Sequence, residues 1–224
     1  MIEVTKPIPC SACTLGACPG LRPHDPDVVP WLETFKTGEV RIDRGGQLIE
    51  QGSAGGRLFT VLSGMLMRYQ SLDDGRRQIV NFMFPGDLIG LQGAFDGVAS
   101  HSVEALLPSR LCTFDPGRFF DLIAARPALG YDITWLASKE ERALEAHLVA
   151  LGRRSAKERV AYLAIWLLRR AVATCTTVGG HRLEVAITQA QISDMLGLSL
   201  VHTNRTIKAL EREQLVIWKP NGIE

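Results

Sequence analysis

No stretch of this sequence keeps the roughly 18 uninterrupted apolar residues that a membrane span requires. Its start, Met1 to Pro9, mixes Glu3 and Lys6 with Pro7 and Pro9 and lacks the apolar core of a secretion signal. The expectation is a cytoplasmic protein with no membrane partner. A dominant charge is missing as well: 25 Lys and Arg face 24 Asp and Glu, for a formal net charge of +1. The whole molecule therefore exerts no pull on nucleic acid, and any such surface must be a local patch. There is no phosphate-binding loop, no nucleophile elbow and no recognisable pair of catalytic carboxylates. The five histidines are scattered, with His24 and His101 reading as surface or packing residues rather than ligands. No catalytic residue is assigned, and no enzyme is expected. Internal repeats and low-complexity tracts are also absent.

What is present suits a globular protein: 46% of the 224 residues are hydrophobic and 22% charged, enough to bury a core in one large or two modest domains. Five cysteines are distributed unevenly, with Cys10, Cys13 and Cys18 close together. In a reducing cytoplasm that crowding argues for a metal or redox site rather than a disulfide framework. Pro7, Pro9, Pro19, Pro23, Pro26 and Pro30 deny residues 1–30 a long helix and make them an irregular arm. Across 31–125, short apolar runs at Leu58 to Leu62, Met65 to Tyr69, Ile79 to Phe84 and Val103 to Leu107 alternate with glycine turns, the rhythm of a small antiparallel roll or barrel. Asp73-Asp74-Gly75 reads as a hairpin turn.

Across 126–152 the pattern becomes helical from about Tyr131. Ile133, Ala137, Leu144, Leu148 and Leu151 recur at helical spacing with charged flanks, which suits a parallel dimer seam; a helix packed on its own roll is the alternative. Gly152 to Ser155 reads as a hinge, and Ser155 with Glu158 as a capping box that opens the last domain, 153–224. A helix over Ala156 to Ala173 carries Val160, Leu163, Ala164, Leu167 and Leu168 at core spacing, and a loop follows from Thr174 to Gly180.

Thr188 and Gln191 form a second capping box, Gly197 makes a sharp turn, and Ser199 caps a further helix. Leu200, Thr203, Ile207 and Leu210 fall on its packing side, and Val201, Asn204, Arg205 and Lys208 on the other. Arg205 can bond both acceptors of a guanine, Asn204 can address an adenine or a phosphate, and Val201 suits a thymine methyl. His202, Thr206, Lys208, Arg212 and the Arg153-Arg154 pair are candidates for phosphate contacts. Leu215 to Trp218 as a strand and Asn221-Gly222 as a turn complete a winged helix-turn-helix. The chain stops at Glu224, just after that turn, which leaves open a further carboxyl-terminal stretch.

The order of parts resembles the Crp/Fnr superfamily over residues 10–223. The resemblance is carried by VLSGMLMRYQSLDDGRRQIVNFMFPGDLIGLQGAF at 61–95, RSAKERVAYLAIWL at 154–167 and ITQAQISDMLGLSLVHTNRTIKALE at 187–211. It implies an α+β fold with an N-terminal antiparallel, cyclic-nucleotide-binding-like β-roll, a long dimerisation helix and a C-terminal winged helix-turn-helix. It also implies a homodimeric transcription regulator on a double-stranded DNA operator, with RNA polymerase as a further partner. The cyclic-nucleotide branch grips its ligand with a glutamate and an Arg-Ser pair. Here Leu91 follows Leu88-Ile89-Gly90, and the pair is His101-Ser102, so no cyclic nucleotide is expected.

The oxygen-sensing branch carries an amino-terminal cysteine cluster plus one cysteine after the roll, and the resemblance implies Cys10, Cys13, Cys18 and Cys112 as ligands of a [4Fe-4S] cluster. Oxygen that degrades the cluster would then release the arm and weaken the dimer, with Glu140 and Glu141 as sources of repulsion in the seam. Cys175 is left as a spare thiol. The spacing Cys-x2-Cys-x4-Cys is shorter between the last two cysteines than in that branch. Zinc on the same sulfurs, direct thiol oxidation and a small effector in the roll remain open.

Overall fold

The computed structural model describes residues 2–23, 25–219 and 221–224, so the reading of His24 lies outside the described residues. The arm is less irregular than its prolines suggest. Strand β1 (Ile2–Thr5) pairs antiparallel with β2 (Lys36–Ile42), two short 3-10 turns follow at Cys10–Ala12 and Thr14–Ala17, and α1 (Val29–Phe35) leads into the roll. A strand on a sheet edge needs a partner's free hydrogen-bonding groups, and nothing near residues 2–5 in the sequence announces that partner.

The roll is built from β2, β3 (Gln47–Ile49), β4 (Leu58–Ser63), β5 (Leu66–Ser71), β6 (Arg77–Met83), β7 (Leu88–Ile89), the short helix α2 (Leu91–Asp96), β8 (Ser102–Ala105) and β9 (Ser109–Phe114). One sheet has the order β1-β2-β9-β4-β7, and the facing sheet β3-β8-β5-β6. The expected hairpin joins β5 to β6, with the amide of Gly75 donating to the carbonyl of Leu72. Val40, Ile42, Val61, Leu66, Met83, Val103 and Leu111 fill the space between the sheets.

Helix α3 (Phe119–Ala125) precedes the long α4 (Pro127–Arg153), which begins before Tyr131 because Pro127 is tolerated in a first turn. Gly152 lies inside the last turn of α4, so the chain breaks at Arg154 rather than at the glycine. Helix α5 (Ala156–Ala173) starts at the Ser155/Glu158 capping box and buries Val160, Leu163, Ala164 and Leu167, with Leu168 partly covered. Full burial of one such leucine contributes about 1.5–3 kcal/mol. The expected loop after α5 contains a hairpin, β10 (Thr177–Val178) with β11 (Arg182–Leu183). Helices α6 (Gln189–Leu196) and α7 (Leu200–Arg212) follow, then β12 (Trp218–Lys219) and β13 (Gly222–Ile223). Gly222 pairs with Lys219, so it belongs to the strand and not to the turn at Asn221-Gly222 that its sequence suggests. This third sheet has the order β10-β11-β13-β12.

One core runs across the domains. Met65, Met67, Ile79, Phe82 and Phe84 on the outer side of the roll pack with Leu163, Leu167, Ile192, Met195 and Ile207. Ion pairs frame that seam: Arg77 Nε meets Asp194 Oδ2 at 2.7 Å, and Arg170 reaches both oxygens of Asp87 at 2.6 Å. No helix among the described residues is long and apolar enough to cross a membrane.

Candidate functional site

The helix pair forms as its local signals dictate. The hydroxyl of Thr188 accepts from the Gln191 amide, and Gln191 Oε1 accepts from the Thr188 amide at 2.8 Å. Gly197 closes α6 with φ of 60°, a left-handed turn that disfavours a side chain. Ser199 then accepts from the His202 amide and starts α7. Thr203, Ile207 and Leu210 are buried against α5 and α6, as expected, but Leu200 is 53% exposed at the first turn, where α7 has not yet reached its packing partners. Thr206 also departs from its expected role: it is buried and donates to the carbonyl of His202 at 2.8 Å.

Val201, His202, Arg205 and Lys208 present one exposed face. Asn204 is half-buried and donates through Nδ2 to Gln189 Oε1 at 2.9 Å, which orients its amide at the edge of that face. Arg212 folds back to the Lys208 carbonyl, and Arg154 stacks over Tyr162 at 4.5 Å, leaving Arg153 the exposed member of its pair. The arrangement offers two long cations, Arg205 and Lys208, and the short amide of Asn204 beside the apolar contact of Val201, the set that a major-groove helix needs.

The cysteines divide. Cys10, Cys13 and Cys112 line a cavity of about 210 Å³ whose walls include Leu32, Phe35, Phe114, Leu122 and Leu129. Burial pushes the Cys112 thiol up to about 12, with Lys36 opposing, and also raises Cys10. Cys18 is turned away: it is buried in a disulfide with Cys175, at a Cα separation of 5.6 Å that is ordinary for such a bond. The expectation of a spare thiol at Cys175, and of no disulfide, is therefore corrected. Among the described residues no group of three or more His, Cys, Asp or Glu is placed to hold a metal ion.

The sequence reading missed what anchors the arm. Glu39 stands opposite Cys112 in the β2–β9 ladder and is fully buried. It takes the Ile8 amide at 2.7 Å and Lys36 Nζ at 2.6 Å, and pairs with Arg110, while Lys36 also donates to the Ile8 carbonyl. Although burial opposes charge on the carboxylate, these bonds hold the pKa of Glu39 below its ordinary value. Charged residues inside a strand gave no local warning of this role. Glu140 was expected beside Glu141 as a source of repulsion in the seam; instead it pairs with Arg68 at 2.5 Å and accepts two bonds from Asn81 Nδ2.

Between the roll and α4 lies a second cavity of about 940 Å³, bounded by Arg68, Asn81, Gly90, Leu91, His101 and Glu140. His101 is buried and neutral, its pKa brought down to about 4 by burial and by Arg68. Leu91 contributes no carboxylate.

A two-sheet roll joined by a long helix to a winged helix-turn-helix defines the class: a DNA-binding transcription regulator. Residues 39–126 match the cyclic nucleotide-binding domain family and 158–224 the Crp-like helix-turn-helix domain. The chain is 30% identical over 215 residues to the transcriptional activatory protein AadR of Rhodopseudomonas palustris, covering 96% of this chain and 86% of that one. It is 34% identical over 165 residues to the nitrogen fixation regulation protein FixK of Bradyrhizobium diazoefficiens, covering 74% and 68%. The chain belongs to the Crp/Fnr family of transcription regulators. Its fold matches the structure of FixK2 from Bradyrhizobium japonicum with a TM-score of 0.72 at 24% identity, over 83% of this chain and 90% of that one. These relatives and folds are transcription regulators and not enzymes.

Proposed function

We propose that this chain is a cytoplasmic homodimer that places α7 in the major groove of a double-stranded operator and sets its occupancy by the oxygen or redox state of its cysteine arm. The observation that carries the DNA-reading part is the division of α7, with Thr203, Ile207 and Leu210 buried while Val201, Arg205 and Lys208 are exposed. In this reading Arg205 bonds a guanine, Val201 meets a thymine methyl, Asn204 addresses an adenine or phosphate, and His202 and Lys208 hold the backbone.

The seam of the dimer is the uncovered side of α4. Leu148 is 71% exposed and Ala137 is exposed, while Ile133, Leu144 and Leu151 are only half covered. Two subunits on adjacent half-sites gain an effective concentration that one lacks. RNA polymerase is the downstream partner that a regulator of this family would engage. With Leu91 and neutral His101 in the places where a cyclic nucleotide needs an acid and an arginine, that ligand is not the signal.

For redox sensing, the resemblance points to a [4Fe-4S] cluster on Cys10, Cys13, Cys18 and Cys112. Such a cluster needs four thiolates. Three of these cysteines line one cavity, but Cys18 is bonded to Cys175, and the arrangement as it stands does not fit the group. Ligation by all four requires that this bond first be reduced. What the chain itself supplies is a buried seat for the arm: Glu39, paired with Arg110, and Lys36 hold Ile8, Glu39 stands opposite Cys112, and the cavity of the three thiols is also walled by Val29 at the start of α1 and Leu129 in the first turn of α4.

The test has two arms. Operator selection from random duplexes should yield a two-half-site sequence bound by a dimer; binding to all DNA alike would refute the reading of α7. Iron and acid-labile sulfide, measured on protein purified without air in the presence of a thiol reductant, should give about four irons per chain. Iron-free protein after attempted anaerobic reconstitution would remove the cluster and leave the DNA-reading assignment standing.

A further inference from the structure

We propose that Cys18 and Cys175 form a reversible thiol–disulfide tether that ties the arm to the end of α5 in the DNA-binding domain and withdraws Cys18 from Cys10, Cys13 and Cys112. The proposal rests on the redox reading above only for the second destination of Cys18; the tether itself requires no metal.

The two cysteines lie 157 residues apart in sequence, yet the chain brings them together with contacts that do not involve sulfur. The amide of Gly20 donates to the Ala173 carbonyl at 2.8 Å, and Lys139 Nζ on α4 donates to the Gly20 carbonyl at 2.8 Å. The approach is close enough that a side chain at Gly20 would lie 2.4 Å from the Ala173 Cβ. Just upstream on α5, the Arg170–Asp87 pair holds the same helix end to the roll. The arm, the roll, α4 and α5 therefore meet at this point, which brings the two sulfurs within reach of each other.

Their accessibility differs. Cys175 is exposed after the end of α5, whereas Cys18 is buried. An oxidant reaches Cys175 first. With a hydroperoxide, the sulfur of Cys175 attacks the O–O bond, giving a sulfenic acid and releasing the alcohol, or water from hydrogen peroxide itself. The Cys18 sulfur then displaces the hydroxyl, forming the S–S bond and releasing water. Two thiols lose two electrons and two protons, and one peroxide bond is reduced. A dithiol reductant reverses the step by exchange. In a reducing compartment the open form is the resting one, with Cys18 free for the cavity that holds the other three.

Closing the bond also fixes the DNA-binding domain to the arm across a loop that spans both domains. Two recognition helices must reach successive major grooves, and a covalent bond added to the Gly20–Ala173 and Arg170–Asp87 contacts opposes any shift of α5 against the arm and roll that this adjustment needs. The expected result is weaker operator binding in the oxidised state, by at least about fivefold.

The experiment uses the full chain, reduced and freed of metal by chelation, then treated with one equivalent of hydrogen peroxide. Free thiols should fall from five to three per chain, five being the cysteine count. Peptide mapping should find Cys18 joined to Cys175, and dithiothreitol should restore all five. Cys175→Ser should not form the bond and should keep its operator affinity under peroxide. Cys112→Ser, which removes a candidate ligand but neither member of the pair, should form the bond as the parent does. A cross-link from Cys18 to Cys10, Cys13 or Cys112, or a peroxide effect on DNA binding that survives in Cys175→Ser, overturns the tether. Iron content, measured separately on the reduced protein, decides the cluster without touching this result.

Discussion

Acid should loosen this fold through His147, and the size of the effect can be worked from its surroundings. His147 is buried on α4, with Nε2 at 3.2 Å from Asn81 Oδ1, Nδ1 at 2.9 Å from the Tyr162 hydroxyl, and the Trp166 ring centroid at 4.8 Å. It thus joins the roll, the long helix and α5. Burial, and then the charge of Arg68, brings its pKa from 6.5 to about 4. A histidine whose folded pKa is depressed binds fewer protons folded than unfolded between those values. Its contribution is complete above pH 6.5 and drains away as the pH falls towards 4. At about 1.36 kcal/mol per pH unit, the loss by pH 4 is about 3 kcal/mol. Urea unfolding of the reduced chain at several pH values, beside His147→Gln, measures it: stability should fall less steeply with acid in the variant, by about that amount. His101 shifts in the same direction and remains in both proteins as a common background. Parallel pH profiles would show that His147 is not held neutral by the fold.

Two further predictions concern the proposed contacts. Arg205→Ala should lose about 1–3 kcal/mol of discrimination at one base position, whereas Lys208→Ala should weaken binding to all sequences and lower the salt slope by about one; competition binding at several salt concentrations separates them, and equal loss on all DNA in the Arg205 variant would sink its role as a base reader. Leu148→Glu places a charge in the proposed α4 seam and should yield a folded monomer by sedimentation velocity; a dimer of unchanged stability would place the interface elsewhere.

The elements legible in the sequence are those whose causes lie within a few residues. Both capping boxes, Ser155 with Glu158 and Thr188 with Gln191, form as their spacing requires, and so do the Ser199 cap, the Gly197 turn and the β5–β6 hairpin. Hydrophobic periodicity likewise placed α5 and the buried side of α7, because an amphipathic helix shows its inner face in its own spacing. Leu200 escaped that reasoning, since periodicity assigns a direction but not the presence of something to pack against.

Tertiary structure decided whatever depends on a distant partner. Strand β1 exists because β2 offers it an edge, and Glu39 is a buried anchor because Lys36, Arg110 and the Ile8 amide converge on it. Glu140 turned inward because Arg68 and Asn81 lie across from it on the roll. The cysteines show the same division most clearly. Their crowding near the amino terminus is local and pointed to thiol chemistry, but which sulfur meets which is a matter of where the chain ends up. Only folding could bring Cys18 beside Cys175 while leaving Cys10, Cys13 and Cys112 around one cavity, because nothing in the spacing of five cysteines encodes a contact across 157 residues.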